Sequence, residues 1–245
     1  MKQPDIARKM LHRWGFDIGR WPRACDQWVM DGSLAAVIRA RNINCVIDVG
    51  ANVGQFVELI RTLGYSGRIV SFEPSPVALA TLTAFAARDA EWIVRPIGLA
   101  AKPGVGQLYL YPGSDFDSLH AALPEIAAQI PQLQATGRVE ITISTLEKEY
   151  AEVIAGIDEP RILLKSDTQG HDLDVILGAP GLPGVVAVMV ELSVLPIYQN
   201  QPYMTEVMDR LHAEGFVPVA FQPVSRTDGF LVTEFDGLFM RPLGC

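Results

Sequence analysis

Apolar runs and amphipathic segments alternate along most of the chain, and the clearest example lies between residues 45 and 60. Residues 45–49 form an apolar run interrupted only by Asp48, and a turn with two glycines, Gly50 and Gly54, follows directly. Apolar positions among residues 56–60 then return at helical spacing. This pattern predicts a strand, a tight turn and a helix, the repeating unit of α/β proteins.

The same alternation continues through the rest of the chain and predicts an α/β fold. Further strands are expected at residues 68–73, 91–100, 106–111, 139–143, 161–167, 185–191, 216–221 and 235–241, and further helices at residues 77–87, 145–155, 172–177 and 203–214. The run that ends at Glu191 is continuously apolar, which is typical of a strand buried on both faces. The segments 106–111 and 139–143 alternate instead and are expected to pair with each other.

Residues 1–41 are predicted to form a helical extension to the main domain. A partial apolar stripe with basic flanks consists of Ile6, Met10, Leu11 and Trp14. Such a stripe is typical of segments that touch a membrane or a lipid-linked substrate transiently. For so short a stripe the favoured alternative is a helix packed on its own domain or against a second subunit of a homo-oligomer. Ser33 is expected to cap a helix over residues 34–40.

A long connection at residues 112–138 interrupts the α/β pattern. It is rich in Pro, Ala, Gln and Ser, with a short helix expected at 124–134. Because long connections inside compact domains are usually functional or disordered, this insertion is a candidate lid over a substrate. Its polar residues are Asp115, Asp117, Ser118 and His120, and a solvated loop is the alternative. With His12 and His212, His120 is expected at the surface.

Composition limits the class of protein. The chain has 245 residues and 49% hydrophobic content, enough for one substantial α/β domain at residues 42–245. The formal net charge of −8 disfavours a nucleic-acid partner, because phosphate binding usually needs a basic surface. Three cysteines form neither a paired framework nor a metal-ligand spacing. No apolar run reaches the length of a membrane span, and the charged N-terminus is unlike a secretory signal, so a cytoplasmic location is expected.

The glycine turn and the next strand predict the kind of ligand. The spacing Asp-x-Gly-x-x-x-Gly differs from the dinucleotide and phosphate-loop motifs, and the turn contains no Lys or Arg. Such a turn suits a ligand that is neutral or positive at that point. Glu73 ends the second strand about 20 residues further on, where a carboxylate can accept hydrogen bonds from both hydroxyls of a ribose. An adenosine-bearing ligand without a required phosphate is therefore expected.

Three motifs in order carry a resemblance to a known family. They are Ile-Asp-Val-Gly-Ala-Asn-Val-Gly at residues 47–54, Phe-Glu-Pro at 72–74, and Leu-Lys-Ser-Asp-Thr-Gln-Gly at 164–170. Over residues 45–241 the chain resembles the FkbM family of S-adenosylmethionine (SAM) dependent methyltransferases. The resemblance implies a Rossmann-like class I methyltransferase fold, with a seven-stranded, mostly parallel sheet and helices on both faces.

The resemblance also implies SAM as the cofactor and indicates which residues would bind it. Glu73 would hold the ribose, and Asn52 would bind the cofactor carboxylate or brace the turn. Asp48 either orients the turn or approaches the cofactor's ammonium group. Residues 97–99 would pack against adenine, with the alternative that Ile97 and Leu99 belong to the core. The full expected set is Asp48, Gly50, Ala51, Asn52, Gly54, Glu73, Pro74, Ile97, Gly98 and Leu99.

The candidate catalytic residues are Asp167, His171 and Glu191, which are expected at one end of the sheet. In one interpretation Asp167, with a pKa raised by desolvation, or His171 takes a proton from the acceptor directly. In the other, the three side chains hold Mg²⁺ or another divalent cation that binds the acceptor oxygens. The sequence departs from a common family form at Gln169, where Glu is frequent, and at His171.

These residues lead to an expected activity. Because the methyl group of SAM sits on a sulfonium cation, the enzyme has to align an acceptor and remove its proton. We expect an O-methyltransferase for a hydroxyl of a sugar, glycolipid or natural product, hence a small-molecule or glycosylated acceptor. The alternatives are an N-methyltransferase or carboxyl methyltransferase, and a SAM-binding module without catalysis.

Overall fold

A seven-stranded sheet forms the centre of the molecule. The computed structural model describes residues 23–181, 183–227 and 230–242. The strand order is β3-β2-β1-β7-β8-β10-β9, and all pairs are parallel except those of β10, which runs antiparallel to β8 and β9. The strands are β1 (Cys45–Val49), β2 (Arg68–Phe72), β3 (Trp92–Arg95), β7 (Ile162–Ser166), β8 (Val185–Ser193), β9 (Val217–Thr227) and β10 (Leu231–Met240).

A second, three-stranded sheet lies beside the first. Its order is β4-β6-β5, with β4 (Gly98–Leu99), β5 (Gly104–Leu110) and β6 (Gly137–Ser144). The predicted pairing of segments 106–111 and 139–143 is confirmed, because β5 and β6 run antiparallel with Leu108 opposite Val139. The insertion at residues 112–138 leaves this sheet after β5 and returns as β6, which positions it next to the carboxyl ends of the large sheet.

Helices cover both faces of the large sheet. They are α1 (Arg23–Ala40), α2 (Gln55–Thr62), α3 (Pro76–Ala86), α4 (Pro124–Ala127), α5 (Leu146–Val153), α6 (Asp172–Leu177) and α7 (Met204–Ala213). Alternate residues of β1 enter different cores. Ile47 and Val49 pack with α5, α6 and α7, whereas Val46 packs with α1 and α2. Burial on both faces explains the continuous apolar character of the central strands, and the predicted fold class is confirmed.

Three local predictions were wrong in their boundaries. The strand expected at 91–100 is two strands in different sheets, because the chain breaks at Pro96, which has no N–H to donate to a ladder. Ser33 lies inside α1 and is not a helix cap. The helix expected at 124–134 is shortened to α4 and a 3-10 turn at Pro131–Leu133, since Pro131 cannot continue an α-helix.

The described part of the N-terminal extension is α1, whose buried residues Met30, Leu34 and Val37 pack against the large sheet. Residues 1–22, including the stripe predicted to touch membranes and His12, lie outside the described residues. Among the helices that are described, none combines the length and apolar character needed to cross a membrane.

Candidate active site

A cavity of about 490 Å³ opens at the carboxyl ends of β1, β2, β7 and β8. Open α/β sheets bind their ligands at this edge. The turn after β1 and residues of the insertion complete the wall. The side chains and backbone that give the cavity its polar character belong to Gly50, Asn52, Glu73, Ser114, Asp115, Asp117, Lys165, Asp167, Thr168, Gln169, His171, Glu191 and Asp236.

The two glycines of the turn have different tasks. Gly50 has a φ of +70°, and a Cβ built on it would lie 1.9 Å from the backbone oxygen of Asp167. Gly54 has a φ of +97°, and its Cβ would meet the ring of Trp92 at 2.7 Å. Only glycine is readily accommodated at either position. Gly50 thus lets the ends of β1 and β7 approach each other at the cavity, whereas Gly54 leaves room for the ring of Trp92.

A buried ion pair stabilises the glycine turn. Asp48 and Lys165 are direct neighbours across β1 and β7, and Lys165 Nζ lies 3.0 Å from Asp48 Oδ1. The ammonium also donates to the backbone oxygen of Gly50 at 2.9 Å, and the Ser71 hydroxyl donates to Asp48 Oδ2 at 3.0 Å. Burial alone would lower the pKa of Lys165, but the charges of Asp48 and Asp167 raise it above its usual value.

Glu73 lies directly after β2 and is almost fully buried at the cavity wall. Its Oε2 accepts a hydrogen bond from the backbone N–H of Asn52 and its Oε1 accepts one from that of Ser75, both at 2.7 Å. Burial raises the pKa of Glu73 to about 7, against the opposing effect of these two hydrogen bonds and of Lys165. The carboxylate is therefore fixed in place, with lone pairs left for a ligand.

Asp167 directly follows β7 and Glu191 lies near the end of the neighbouring strand β8, but the two differ in their surroundings. The Asp167 side chain is 43% exposed and lies 3.8 Å from Lys165 Nζ, so the predicted desolvation of this residue is wrong. Glu191 is the desolvated one, and burial followed by the charge of Asp167 raises its pKa well above the usual value. Gln169 lies between them and donates its amide N–H to Asp167 Oδ1 at 3.2 Å and to Glu191 at 3.4 Å.

Two more carboxyl groups surround Glu191 from β10. Asp236 is its direct cross-strand neighbour, and Glu234 lies two residues away on the same strand. Burial raises the pKa of each to about 7, and the charge of Asp167 adds to the effect. Glu234 Oε1 is buried without a hydrogen-bond partner. These three carboxyl groups are therefore protonated at a higher pH than exposed carboxyl groups are.

The predicted metal set is not assembled as expected. Among the described residues, the group whose ligand atoms lie close enough together for one ion is His120, His171 and Asp174, not Asp167, Glu191 and His171. His171 precedes α6, and its ring faces the insertion, where its Nδ1 lies 3.0 Å from His120 Nε2. Burial lowers the pKa of both histidines, to about 4 for His171. His120 was expected at the surface but is partly buried.

Hydrogen bonds connect the insertion to the cavity wall at several points. The Ser114 hydroxyl donates to Asn52 Oδ1 at 2.9 Å, and Asn52 Nδ2 donates to Asp115 Oδ1 at 2.8 Å. The Ser75 hydroxyl donates to Asp117 Oδ2 at 2.7 Å, and the Ser118 hydroxyl donates to the backbone oxygen of Gln169 at 2.7 Å. The insertion is thus attached both to the glycine turn and to the loop after β7.

Most of the residues expected from the sequence line the cavity. The expected cofactor residues that do so are Gly50, Ala51, Asn52, Glu73, Pro74, Gly98 and Leu99, and the expected catalytic residues Asp167, His171 and Glu191 join them. Asp48, Gly54 and Ile97 do not line it. Asp48 is fully buried against Lys165, which favours the interpretation that it orients the turn, and Ile97 packs against the core as its alternative predicted.

Sequence reasoning assigned no role to Lys165 or Asp236. Lys165 interrupts the buried apolar run of β7, and a lysine at such a position needs a buried partner. That requirement was a usable signal, because Asp48 interrupts β1 in the same way. Asp236 offered no comparable signal, since its strand joins the sheet only by pairing with β8 from a distant part of the chain.

Comparison with known proteins places the chain in a family. The family profile described as "Methyltransferase FkbM domain" matches residues 48–218, most of the chain. A comparison with curated protein sequences gives no match. Solved structures give distant matches. The FkbM methyltransferase of Methylobacillus flagellatus KT is 14% identical, with a TM-score of 0.47, and the match covers 81% of this chain.

The chain spans only 43% of the length of that Methylobacillus protein. The Aeropyrum pernix fibrillarin with natively bound S-adenosyl-L-methionine is 11% identical with a TM-score of 0.47, over 87% of this chain and 76% of that one. An rRNA methylase of Streptococcus thermophilus is 8% identical with a TM-score of 0.46, over 91% of this chain and 99% of that one. On the profile match, the chain belongs to the FkbM family of SAM-dependent methyltransferases.

Proposed function

We propose that the protein transfers the methyl group of SAM to a hydroxyl group of a sugar, a glycolipid or a polyhydroxylated natural product. The observation that carries this proposal is the distribution of charge in the cavity. A glycine turn and Glu73 follow β1 and β2, whereas Asp167, Glu191 and Asp236 lie on the side of β7, β8 and β10, and the ammonium of Lys165 lies between Asp48 and Asp167. The side of β1 and β2, the cofactor end, suits the cofactor, and the side with the three carboxyl groups, the acidic end, suits an uncharged, hydrogen-bonding acceptor.

The cofactor end matches the parts of SAM in turn. Glu73 has free lone pairs for the ribose hydroxyls, and Phe72 and Leu99 supply apolar surface beside it for adenine. The amino-acid part would lie against the bare backbone of Gly50, which Lys165 holds in place through its hydrogen bond to the Gly50 oxygen. Bound there, SAM would supply an electrophilic methyl group. The residues of the chain then need only bind and orient both reactants and receive a proton.

The acidic end discriminates among acceptor classes. Over the whole cavity, six carboxyl side chains and the one ammonium of Lys165 line the wall in the described residues; the six belong to Glu73, Asp115, Asp117, Asp167, Glu191 and Asp236. Burial raises the pKa of Glu73 and Asp236 to about 7 and that of Glu191 well above its usual value, so the negative field is strongest above pH 7, where it would repel a carboxylate acceptor. An amine would be held as its unreactive ammonium form, because nearby negative charge raises its pKa. A hydroxyl group suffers neither penalty and can donate hydrogen bonds to the carboxylates.

Asp167 is our candidate for the proton acceptor. Its carboxylate lies at the end of β7 in the cavity wall and is 43% exposed. By contrast, His171 Nδ1 faces His120, and its Nε2 is buried without a partner. As the acceptor oxygen forms its bond to the methyl carbon, its proton passes to Asp167, and the methyl–sulfur bond breaks. Gln169 holds Asp167 in orientation through its amide N–H.

The insertion at residues 112–138 is proposed to act as a lid over the acceptor. Its attachment to Asn52 on one side and to Gln169 on the other would close the cavity from above once both reactants are bound. Excluding water strengthens the electrostatic effects inside and protects the methyl group from side reactions. The lid also brings Asp115 and Asp117 to the wall, where they can accept hydrogen bonds from a sugar.

The test separates cofactor binding from turnover. Polyhydroxylated acceptors are screened with labelled SAM, and S-adenosylhomocysteine binding is measured by calorimetry. We expect Asp167→Asn to lower kcat about 100-fold or more with unchanged cofactor affinity, and Glu73→Gln to weaken S-adenosylhomocysteine binding.

Asp209→Asn on the exposed face of α7 is the matched control and should change neither kcat nor S-adenosylhomocysteine binding. Wild-type turnover by Asp167→Asn would remove the assignment of the base, and failure of the wild type to bind S-adenosylhomocysteine would remove the function.

A further inference from the structure

Three side chains with metal-binding atoms meet where the insertion contacts α6. His120 belongs to the insertion, whereas His171 and Asp174 lie at the start of α6. His171 Nδ1 is 3.0 Å from His120 Nε2 and 3.6 Å from Asp174 Oδ2, and one ligand atom of each residue lies within 4.8 Å of the others. The three groups therefore converge on one point between two separate parts of the chain.

The spacing of the ligand atoms fits a tetrahedral metal ion with little adjustment. Zinc–nitrogen bonds are about 2.0–2.1 Å long, so two nitrogens on one tetrahedral ion lie roughly 3.3 Å apart. The observed nitrogen–nitrogen distance of 3.0 Å needs to open by only a few tenths of an ångström. His171 directly precedes α6 and Asp174 lies in its first turn, with His171 Nδ1 and Asp174 Oδ2 3.6 Å apart.

We propose that His120, His171 and Asp174 bind a divalent transition-metal ion, with Zn²⁺ as the representative ion. Two imidazole nitrogens and one carboxylate suit zinc, cobalt, nickel or ferrous iron and disfavour Mg²⁺, which requires oxygen ligands. Three protein ligands leave a fourth position open, as in catalytic rather than structural zinc sites. The Asp174 side chain is 42% exposed, which gives the ion a path from solvent.

The ion would connect the insertion to the loop that carries Asp167. His171 lines the cavity, so an ion on its ring would lie at the cavity edge and hold the insertion against α6. An acceptor oxygen could occupy the open position, where a metal ion lowers the pKa of a bound hydroxyl. This last role rests on the proposed function, whereas the binding of the ion does not.

The binding of the ion is tested on the full chain without an affinity tag, after treatment with a chelator. Cys25→Ser and Cys245→Ser are introduced throughout, and the remaining thiol, that of Cys45, is fully buried in β1 and out of reach of the ion. Co²⁺ is titrated while its visible absorption is recorded, and Zn²⁺ is titrated by calorimetry. We expect one ion per chain. His120→Ala and Asp174→Asn should each weaken binding at least ten-fold, while His212→Ala, a change at an exposed histidine of α7, should leave it unchanged.

The outcomes separate this inference from the proposed function. If His120→Ala binds Co²⁺ and Zn²⁺ as tightly as the parent, or if no 1:1 binding occurs, the two histidines only share a proton and the metal site is wrong. Asp174→Asn tests the site with a change outside the insertion, at a side chain that is 42% exposed. S-adenosylhomocysteine binding is measured in parallel, and its loss in the wild type would refute the function without touching the metal result.

Discussion

Two cross-strand pairs of ionisable residues lie in the same sheet, and one joins an acid to a base whereas the other joins two acids. Asp48 and Lys165 face each other across β1 and β7, whereas Glu191 and Asp236 face each other across β8 and β10. The first pair is complementary, with a 3.0 Å ion pair and further hydrogen bonds to each partner. The second consists of two carboxyl groups, both with a raised pKa, and the amide of Gln169 reaches Glu191 at 3.4 Å.

The two pairs are therefore expected to have different roles, the first in stabilising the fold and the second in binding a ligand. A buried charge that is paired within the fold has no need of a ligand, so Asp48 and Lys165 stabilise the ends of β1 and β7 and the glycine turn after β1. Carboxyl groups with raised pKa values are common at functional sites. In the proposed function, Glu191 and Asp236 are the pair to which a bound acceptor would donate hydrogen bonds.

Breaking the complementary pair should have the largest effect on stability. Asp48→Asn leaves the ammonium of Lys165, only 8% exposed, without its nearest counter-charge. Removing one partner of a buried ion pair typically costs about 3–5 kcal/mol. We expect the free energy of unfolding, measured by urea denaturation at pH 7, to fall by that amount.

Two controls show whether the loss comes from the unpaired charge. The double variant Asp48→Asn/Lys165→Met removes both charges and should recover at least half of the loss, because a buried pair can be replaced by apolar side chains at little cost. Asp89→Asn breaks the more exposed pair with Arg61, 22–28% exposed, and should cost below about 1 kcal/mol. Equal losses from Asp48→Asn and from the double variant would contradict the interpretation.

Removing one carboxyl group of the Glu191–Asp236 pair should have a smaller effect on the free energy of unfolding, and it should increase this free energy. The pKa of Asp236 is about 7 in the fold, against an ordinary value of 3.8, because of burial and then of the Asp167 charge. Ionisation is therefore harder in the folded state, and stability falls as the pH rises from about 4 to 7. At pH 8 the full penalty applies, and Asp236→Asn should raise the free energy of unfolding by roughly 1–2 kcal/mol after allowance for solvent screening.

The pH dependence distinguishes this gain from better packing. At pH 4 the carboxyl group is mostly protonated in the fold, so Asp236→Asn should change stability by less than about 0.5 kcal/mol. Thermal unfolding of the wild type and the variant from pH 4 to pH 8 gives the difference curve. A gain of the same size at every pH would mean that charge at Asp236 is not its cause.

The contrast between the two pairs also shows what the sequence could reveal. Gly50, Glu73 and Asp167 were predictable because each directly follows an apolar strand. The carboxyl ends of parallel strands lie at one edge of the sheet, so these residues are expected to lie close together. Asp48 and Lys165 interrupt their runs visibly, but their pairing depends on β1 lying beside β7, more than 100 residues away. Local periodicity contains no information on strand order.

The acidic end and the histidine pair were harder to predict for the same reason. Asp236 meets Glu191 only because β10 enters the sheet between β8 and β9, in the antiparallel sense. His120 and His171 are 51 residues apart and meet because the insertion folds back over the loop after β7. The resemblance predicted the family and the strand-end residues. Pairs of residues that only tertiary packing brings together could not be predicted from the sequence.

Glu73 belongs to neither pair, and its ionisation should have the smallest of the predicted effects. The effect is on the affinity for S-adenosylhomocysteine and not on stability. Burial raises its pKa to about 7, so it is mostly protonated at pH 6 and mostly ionised at pH 8. The ionised carboxylate is the stronger acceptor for ribose hydroxyls. The affinity for S-adenosylhomocysteine should therefore increase about five-fold from pH 6 to pH 8, roughly 1 kcal/mol, as measured by calorimetry.

Glu73→Gln isolates the contribution of this carboxyl group. The amide oxygen can still accept a hydrogen bond from a ribose hydroxyl, but it carries no charge and does not titrate. The variant should bind S-adenosylhomocysteine more weakly at pH 8 and with little change between pH 6 and pH 8. Titration of the ligand's own amino group contributes equally to both proteins, so the difference between the two profiles reports Glu73 alone. Parallel profiles would mean that the ribose is held by another group and that Glu73 serves only to brace the turn through Asn52.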